Sequence, residues 1–240
     1  MDSKHRHALK QDEFTNTLWN WSDTIAARRR LVAGLAVALV AVLVIAAGWL
    51  TWRARQANEA GALLGVAMAT ASSPIVPTSS VAGATQTAGT FPTEQARAEA
   101  ALEAFNVVIA EAPGTEAART AAYHAASALM AAGRLDEAER AFAAIAESEG
   151  TSIRGQSARL GQAEALVALG RTDEALQIYT DLAAMRDGDL PADAILIQLA
   201  RTSERAGLTA EARAAYQRVV DEFPDSLYIA DAEQQLAALN

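Results

Sequence analysis

Three histidines, His5, His7 and His124, are the side chains best suited to hold a metal ion or move a proton near neutral pH. His5 and His7 form an H-x-H pair. A zinc site needs three or four converging ligands, and the sequence has no cysteine to help complete one. Without cysteine there is also no disulfide and no thiolate nucleophile. The carboxylates are dispersed. Pairs such as Asp136 and Glu137 adjoin the starts of helical patterns, where negative charge suits the positive end of the helix dipole. No G-x-S-x-G elbow, H-E-x-x-H helix or glycine-rich phosphate loop is present. The sequence therefore predicts a chain that is not an enzyme and binds neither metal nor cofactor.

What remains is architecture. Apolar residues make up 51% of the 240 and charged residues 20%, enough apolar material to build a core. Alanine dominates the apolar fraction and aromatics are only 5%, so the chain leans towards an all-α fold. The net charge of −9 is unevenly placed. Residues 1–30 carry a net of +2, whereas residues 53–240 carry 14 Arg against 25 Asp and Glu, a net of −11. So acidic a segment repels nucleic acid, which demands a basic surface.

Residues 31–52, from Leu31 to Trp52, contain no charge and no proline. A helix of that length spans roughly 33 Å, enough to cross the bilayer core. Trp49 and Trp52 stand at one end, where indoles favour the lipid–water interface, and Arg28, Arg29 and Arg30 close the other. The run exceeds a signal-peptide core and 30 residues precede it, which predicts an uncleaved single-pass anchor in the lipid bilayer. Lys10 and the three arginines outnumber Arg53 and Arg55 beyond the span, which puts the N-terminus in the cytosol. The large domain is then extracytoplasmic, on the periplasmic side of a bacterial inner membrane.

In the cytosolic tail, residues 1–30, Phe14, Leu18, Trp21 and Ile25 share one helical face, with Trp19 off it. That pattern fits an amphipathic helix on the inner leaflet or a docking helix for a cytosolic partner. Beyond the anchor, Ala57, Ala60, Leu63, Leu64 and Ala67 share a face of a helix over residues 53–71. Residues 72–92, rich in Ser, Thr, Gly, Ala and Pro and free of charge, read as a flexible loop or linker, making 53–93 a juxtamembrane segment.

From residue 94 to 240 the sequence repeats. Ala101, Ala138, Ala175 and Ala212 are spaced by 37, and each is followed at the fourth residue by an aromatic: Phe105, Phe142, Tyr179 and Tyr216. Gly133, Gly170 and Gly207 keep the same period, as do Glu137, Glu174 and Glu211. A glycine ends one helix in a turn, a small alanine lets the neighbouring helix approach, and the aromatic one turn later fills the gap. One helix pair cannot bury its own apolar face, so the pairs must stack into a solenoid.

The segment Gly133-Arg-Leu-Asp-Glu-Ala138 with Phe142 resembles the second-helix half of a tetratricopeptide repeat, as do its counterparts at Gly170 and Gly207. Residues 222–226, Glu-Phe-Pro-Asp-Ser, resemble the end of such a repeat leading into a capping helix. The period of 37 exceeds the usual ~34, which places the extra residues in turns. The usual tryptophan of the first helix is replaced by Ala122, Arg159 and Leu196. The resemblance implies an all-α fold, a single transmembrane helix followed by a tetratricopeptide-repeat-like solenoid.

The whole layout, with His7, Lys10, Asp12, Glu13 and Phe14 ahead of one anchor and an alanine-rich repeat domain, is similar to the ancillary subunit family of the bacterial Sec translocon. That similarity implies protein partners: Sec channel subunits, a periplasmic chaperone and emerging secretory chains. The fold equally permits a scaffold for envelope assembly or cell division, or self-assembly of the solenoids.

In such solenoids the first helix of each pair lines the concave face. On the 37-residue period that face carries Tyr123, Ser127 and Met130, then Leu160, Glu164 and Val167, then Ile197, Arg201, Glu204 and Arg205. Each of these residues either meets a partner or packs against the neighbouring first helix. The stripe, apolar with charges towards the C-terminal end, would suit an extended segment or a helix making mixed contacts.

Overall fold

The computed structural model describes residues 29–77, 87–185 and 188–239. The amphipathic tail, Arg28 and the H-x-H pair lie outside the described residues, as does the middle of the loop at 72–92. Two compact units are present, Met1–Gln56 and Ala57–Asn240. Helix α1, Arg29–Ala71, runs through both.

In the first unit α1 is apolar and uncovered. Leu35, Val40, Ile45 and Leu50 are all exposed, and the helix is long and apolar enough to cross a membrane. The Arg53 guanidinium lies 5.3 Å from the centre of the Trp49 ring, a cation–π contact at the polar end of the apolar run.

The second unit begins with the end of α1 and continues through α2 (Glu94–Glu111), α3 (Glu116–Ala131), α4 (Leu135–Glu149), α5 (Ile153–Ala168), α6 (Thr172–Ala183), α7 (Ala192–Arg205), α8 (Thr209–Glu222) and α9 (Ile229–Ala238). From α2 onward each helix packs on the next, and α3 also touches α5, two places along. This is the contact pattern of a stacked helical solenoid, in which first helices meet first helices. No strand occurs among the described residues; the one β-bridge joins Ile75 to Phe91.

Thr93, Thr115 and Ser152 cap α2, α3 and α5, each accepting a bond from the backbone N–H three residues on. The recurring glycines end the first helices α3, α5 and α7. Gly133, Gly170 and Gly207 adopt φ of 78°, 77° and 76°. At the first, Arg134 N–H bonds Leu129 O at 2.9 Å and Gly133 N–H bonds Met130 O at 3.0 Å, the paired bonds of a Schellman motif. A side chain at positive φ is strained, which explains the residue type.

The repeated alanines and aromatics are packing residues. Ala138, Ala175, Ala212 and Tyr216 are fully buried, and Phe105, Phe142 and Tyr179 nearly so. Tyr216 satisfies its buried hydroxyl by donating to Glu204 at 3.1 Å. Turn arginines tie successive second helices together. Arg134 pairs with Glu137 at 2.7 Å on α4 and with Glu99 at 3.3 Å on α2, and Arg171 repeats the device between Glu174 and Glu139. At the start of α5, Arg154 bonds Glu116 of α3 and Glu149 of α4.

Two details differ from the sequence reading. The extra residues do not sit only in turns: α4 has 15 residues where α6 has 12, and in the next unit the excess moves into the connection after α6. On α1, Ala60 and Ala67 are buried with Leu63 and Leu64 beside them, but Ala57, at the start of that face, is exposed. The described ends of the 72–92 loop are fastened to each other: Val76 N–H donates to Phe91 O at 2.8 Å and Phe91 N–H to Pro74 O at 3.0 Å. The capping helix expected after residues 222–226 is α9, packed on α8.

Candidate protein-binding groove

The first helices α3, α5 and α7 carry the stripe read from the sequence. On α3, Tyr123 is half-buried and meets Phe142 edge-on, ring centres 5.6 Å apart with planes at 69°. Ser127 turns its hydroxyl back onto Tyr123 O at 3.2 Å, and Met130 is half-buried against the core. On α5, Leu160 and Val167 are half-buried against the C-terminal core, while Glu164 between them is exposed. On α7 the four residues part company. Ile197 is 1% exposed and belongs to the core. Arg201 pairs with Asp231 of α9 at 2.8 Å. Glu204 accepts from Tyr216, and Arg205 folds along its own helix to bond Arg201 O at 3.2 Å.

Leu160, Ile197 and Arg201 are brought together as walls of a cavity of about 140 Å³, closed by Leu190, Pro191 and Tyr228. The last three lie in connections, outside the helical period. Gln156 places the first two. Its side chain is buried, accepting from Asp189 N–H at 3.1 Å and donating to Thr151 O at 2.8 Å, which holds the loop after α6 against α5. Ser226 sets Tyr228 by donating to Asp193 at 2.6 Å and accepting the Tyr228 N–H at 3.1 Å. The Gly-Asp-Leu-Pro and Asp-Ser-Leu-Tyr stretches signal turns in the sequence, but not where those turns fold.

The electrostatics of the face centre on Glu164. Surrounding protein strips enough water from its carboxylate to hold its pKa above the usual carboxylate value. Burial, with a smaller contribution from the Glu164 charge, raises the Tyr123 phenol and pushes that of Tyr179 up to about 12. Burial pushes Tyr216 up to about 12 as well, helped by its bond to Glu204. His124 lies beside this face, stacked on Phe105 with ring centres 5.5 Å apart. Among the described residues no three His, Asp or Glu side chains are grouped so as to hold a metal ion.

Residues 123–189 and 160–226 each match the tetratricopeptide-repeat family model. Among solved structures, the nearly identical TPR-like repeats of a Podosopora anserina protein described as a kinesin light chain superpose with a TM-score of 0.51. The identity is 19%, over 60% of this chain and 77% of that one. A single-substitution form of the same repeats gives the same TM-score at 20% identity. No curated protein matches the sequence. At such identity the likeness is one of fold, and it agrees with the family match over residues 123–226: the fold is a tetratricopeptide-repeat-like helical solenoid.

Proposed function

We propose that this chain is a non-enzymatic, membrane-anchored scaffold that holds partner proteins on the face formed by α3, α5 and α7. Tetratricopeptide-type solenoids bind along such faces. The observation that carries the reading is the mixed character of this one: half-buried Tyr123, Met130, Leu160 and Val167 beside the exposed Glu164, Arg201 and Arg205. Apolar side chains at the surface with charges interleaved suit a peptide segment better than a small metabolite.

Residues 31–52 anchor the scaffold in the bacterial inner membrane, with residues 1–30 cytosolic and the repeats periplasmic. The excess of cations before the span supports that orientation. The partners are Sec channel subunits, a periplasmic chaperone and emerging secretory chains. This narrower assignment rests on the similarity of the N-terminal start and the layout to the translocon's ancillary subunits.

The test is purification of the full-length tagged chain from native membranes in mild detergent, with mass spectrometry of what accompanies it. Channel subunits and a periplasmic chaperone enriched over a control of residues 1–60 are the expected result. Enrichment of envelope-assembly or division proteins, with no channel subunit, would leave a scaffold and remove the translocon from the account.

A further inference from the structure

The repeat shows what is missing beside Glu164. Arg201 stands one period after Glu164, at the same place on its first helix. Arg201 reaches forward 30 residues to Asp231 and pairs with it at 2.8 Å. The corresponding residue 30 positions after Glu164 is Ala194. Its methyl supplies no charge, and the space it leaves is part of the 140 Å³ cavity. Glu164 has no hydrogen bond or ion pair among the described residues, whereas Arg171, Arg201 and Arg218 are each paired with a carboxylate.

We propose that Glu164 and this cavity together recognise a Lys or Arg side chain on an apolar segment of a partner protein, the partner's cation filling the place that an internal ion pair fills one repeat later. The inference rests on the groove reading above and deepens it. Leu160, one helical turn before Glu164, is a cavity wall, and Cβ atoms one turn apart on a helix face lie about 6 Å from each other. On an extended segment, side chains two residues apart are spaced by about 7 Å and face the same way. A cation and an apolar side chain at that separation meet Glu164 and the pocket of Leu160, Ile197 and Tyr228 together. The net charge of −11 over residues 53–240 steers cationic segments towards this surface. The other charges at the cavity do not oppose this: Arg201 is neutralised by Asp231, and Asp193 is bonded to Ser226.

The experiment uses the full-length chain in lipid nanodiscs and three synthetic Gly/Ser-flanked peptides. Each carries photo-leucine, and the residue two positions on is lysine, norleucine or glutamate. The lysine peptide is expected to bind tightest, with cross-links mapping to Leu160 or Tyr228. Glu164→Gln is expected to weaken it about tenfold. Ala194→Lys, which offers Glu164 an internal cation, is expected to abolish binding without lowering the unfolding temperature. Equal binding of the lysine and norleucine peptides, unchanged binding to Glu164→Gln, or no binding of the lysine peptide would each overturn the proposal. If Glu164→Gln also retains every partner in the membrane purification, the cation site falls while the scaffold reading stands.

Discussion

Phe142 occupies the space that Gly161 leaves open: a Cβ built on Gly161 would stand 2.7 Å from two carbons of the Phe142 ring. The aromatic of one repeat is thus locked into the first helix of the next by the absence of a single methyl. Gly161→Ala adds helix propensity, worth about 1 kcal/mol at an open site. Overpacking a core contact costs about 1–3 kcal/mol, so the expected net effect is destabilisation. Gly65→Ala on α1, where nothing lies within 4 Å of the added atom, is the control and should be neutral or stabilising. Far-UV circular dichroism during chemical unfolding of both variants checks the pair.

Gly170 ends α5 at φ 77° and its turn repeats the paired bonds seen at Gly133, with Arg171 N–H on Leu166 O at 2.9 Å. Gly170→Ala is expected to cost about 1–2 kcal/mol, because an L side chain is strained in that region. The loss should appear in the unfolding free energy of the repeats. A variant as stable as the parent would mean the turn can refold into another type.

His124 gives the repeats a pH dependence. Its partial burial depresses its pKa below the ordinary 6.5. The unfolded chain therefore takes up a proton more readily than the folded one. The stabilisation is complete above the ordinary value and is lost as pH falls from there through the lowered folded value. Thermal unfolding between about pH 7 and pH 5 should show this slope, and His124→Gln should flatten it. Glu116 and Glu137, whose carboxyls are held low by bonds to Arg119 and Arg134, act only at more acidic pH.

The absence of cysteine makes the membrane orientation directly testable, since any introduced thiol is the only one. In intact cells stripped of their outer membrane, an impermeant maleimide is expected to label Thr151→Cys at once. It should label Ser3→Cys only after the inner membrane is permeabilised. The reverse pattern would put the repeats in the cytosol.

The legible part of this fold is the part repeated along the chain. Ala138 and Phe142 announce a packed helix pair because one small and one large residue a turn apart recur at fixed intervals, and only a stacked solenoid imposes that constraint. The stripe on α3, α5 and α7 follows from the same helical period. Periodicity gives a face but not its cover, so Ile197 and Leu160 look alike in sequence although Ile197 is buried and Leu160 reaches the surface. The cavity walls Leu190, Pro191 and Tyr228 were illegible for a further reason. Their positions depend on bonds spanning 33 residues, Asp189 to Gln156 and Ser226 to Asp193, which leave no local pattern.

Whether partners are held on the first-helix face is decided by photo-cross-linking in native membranes. A photoreactive residue would be placed singly at Glu164 or Arg205 on that face, and at Asn106 or Gln177 on exposed sides of the second helices α2 and α6. Discrete cross-linked protein adducts are expected from Glu164 and Arg205 and none from Asn106 or Gln177. Adducts confined to Asn106 and Gln177 would contradict binding on the first-helix face.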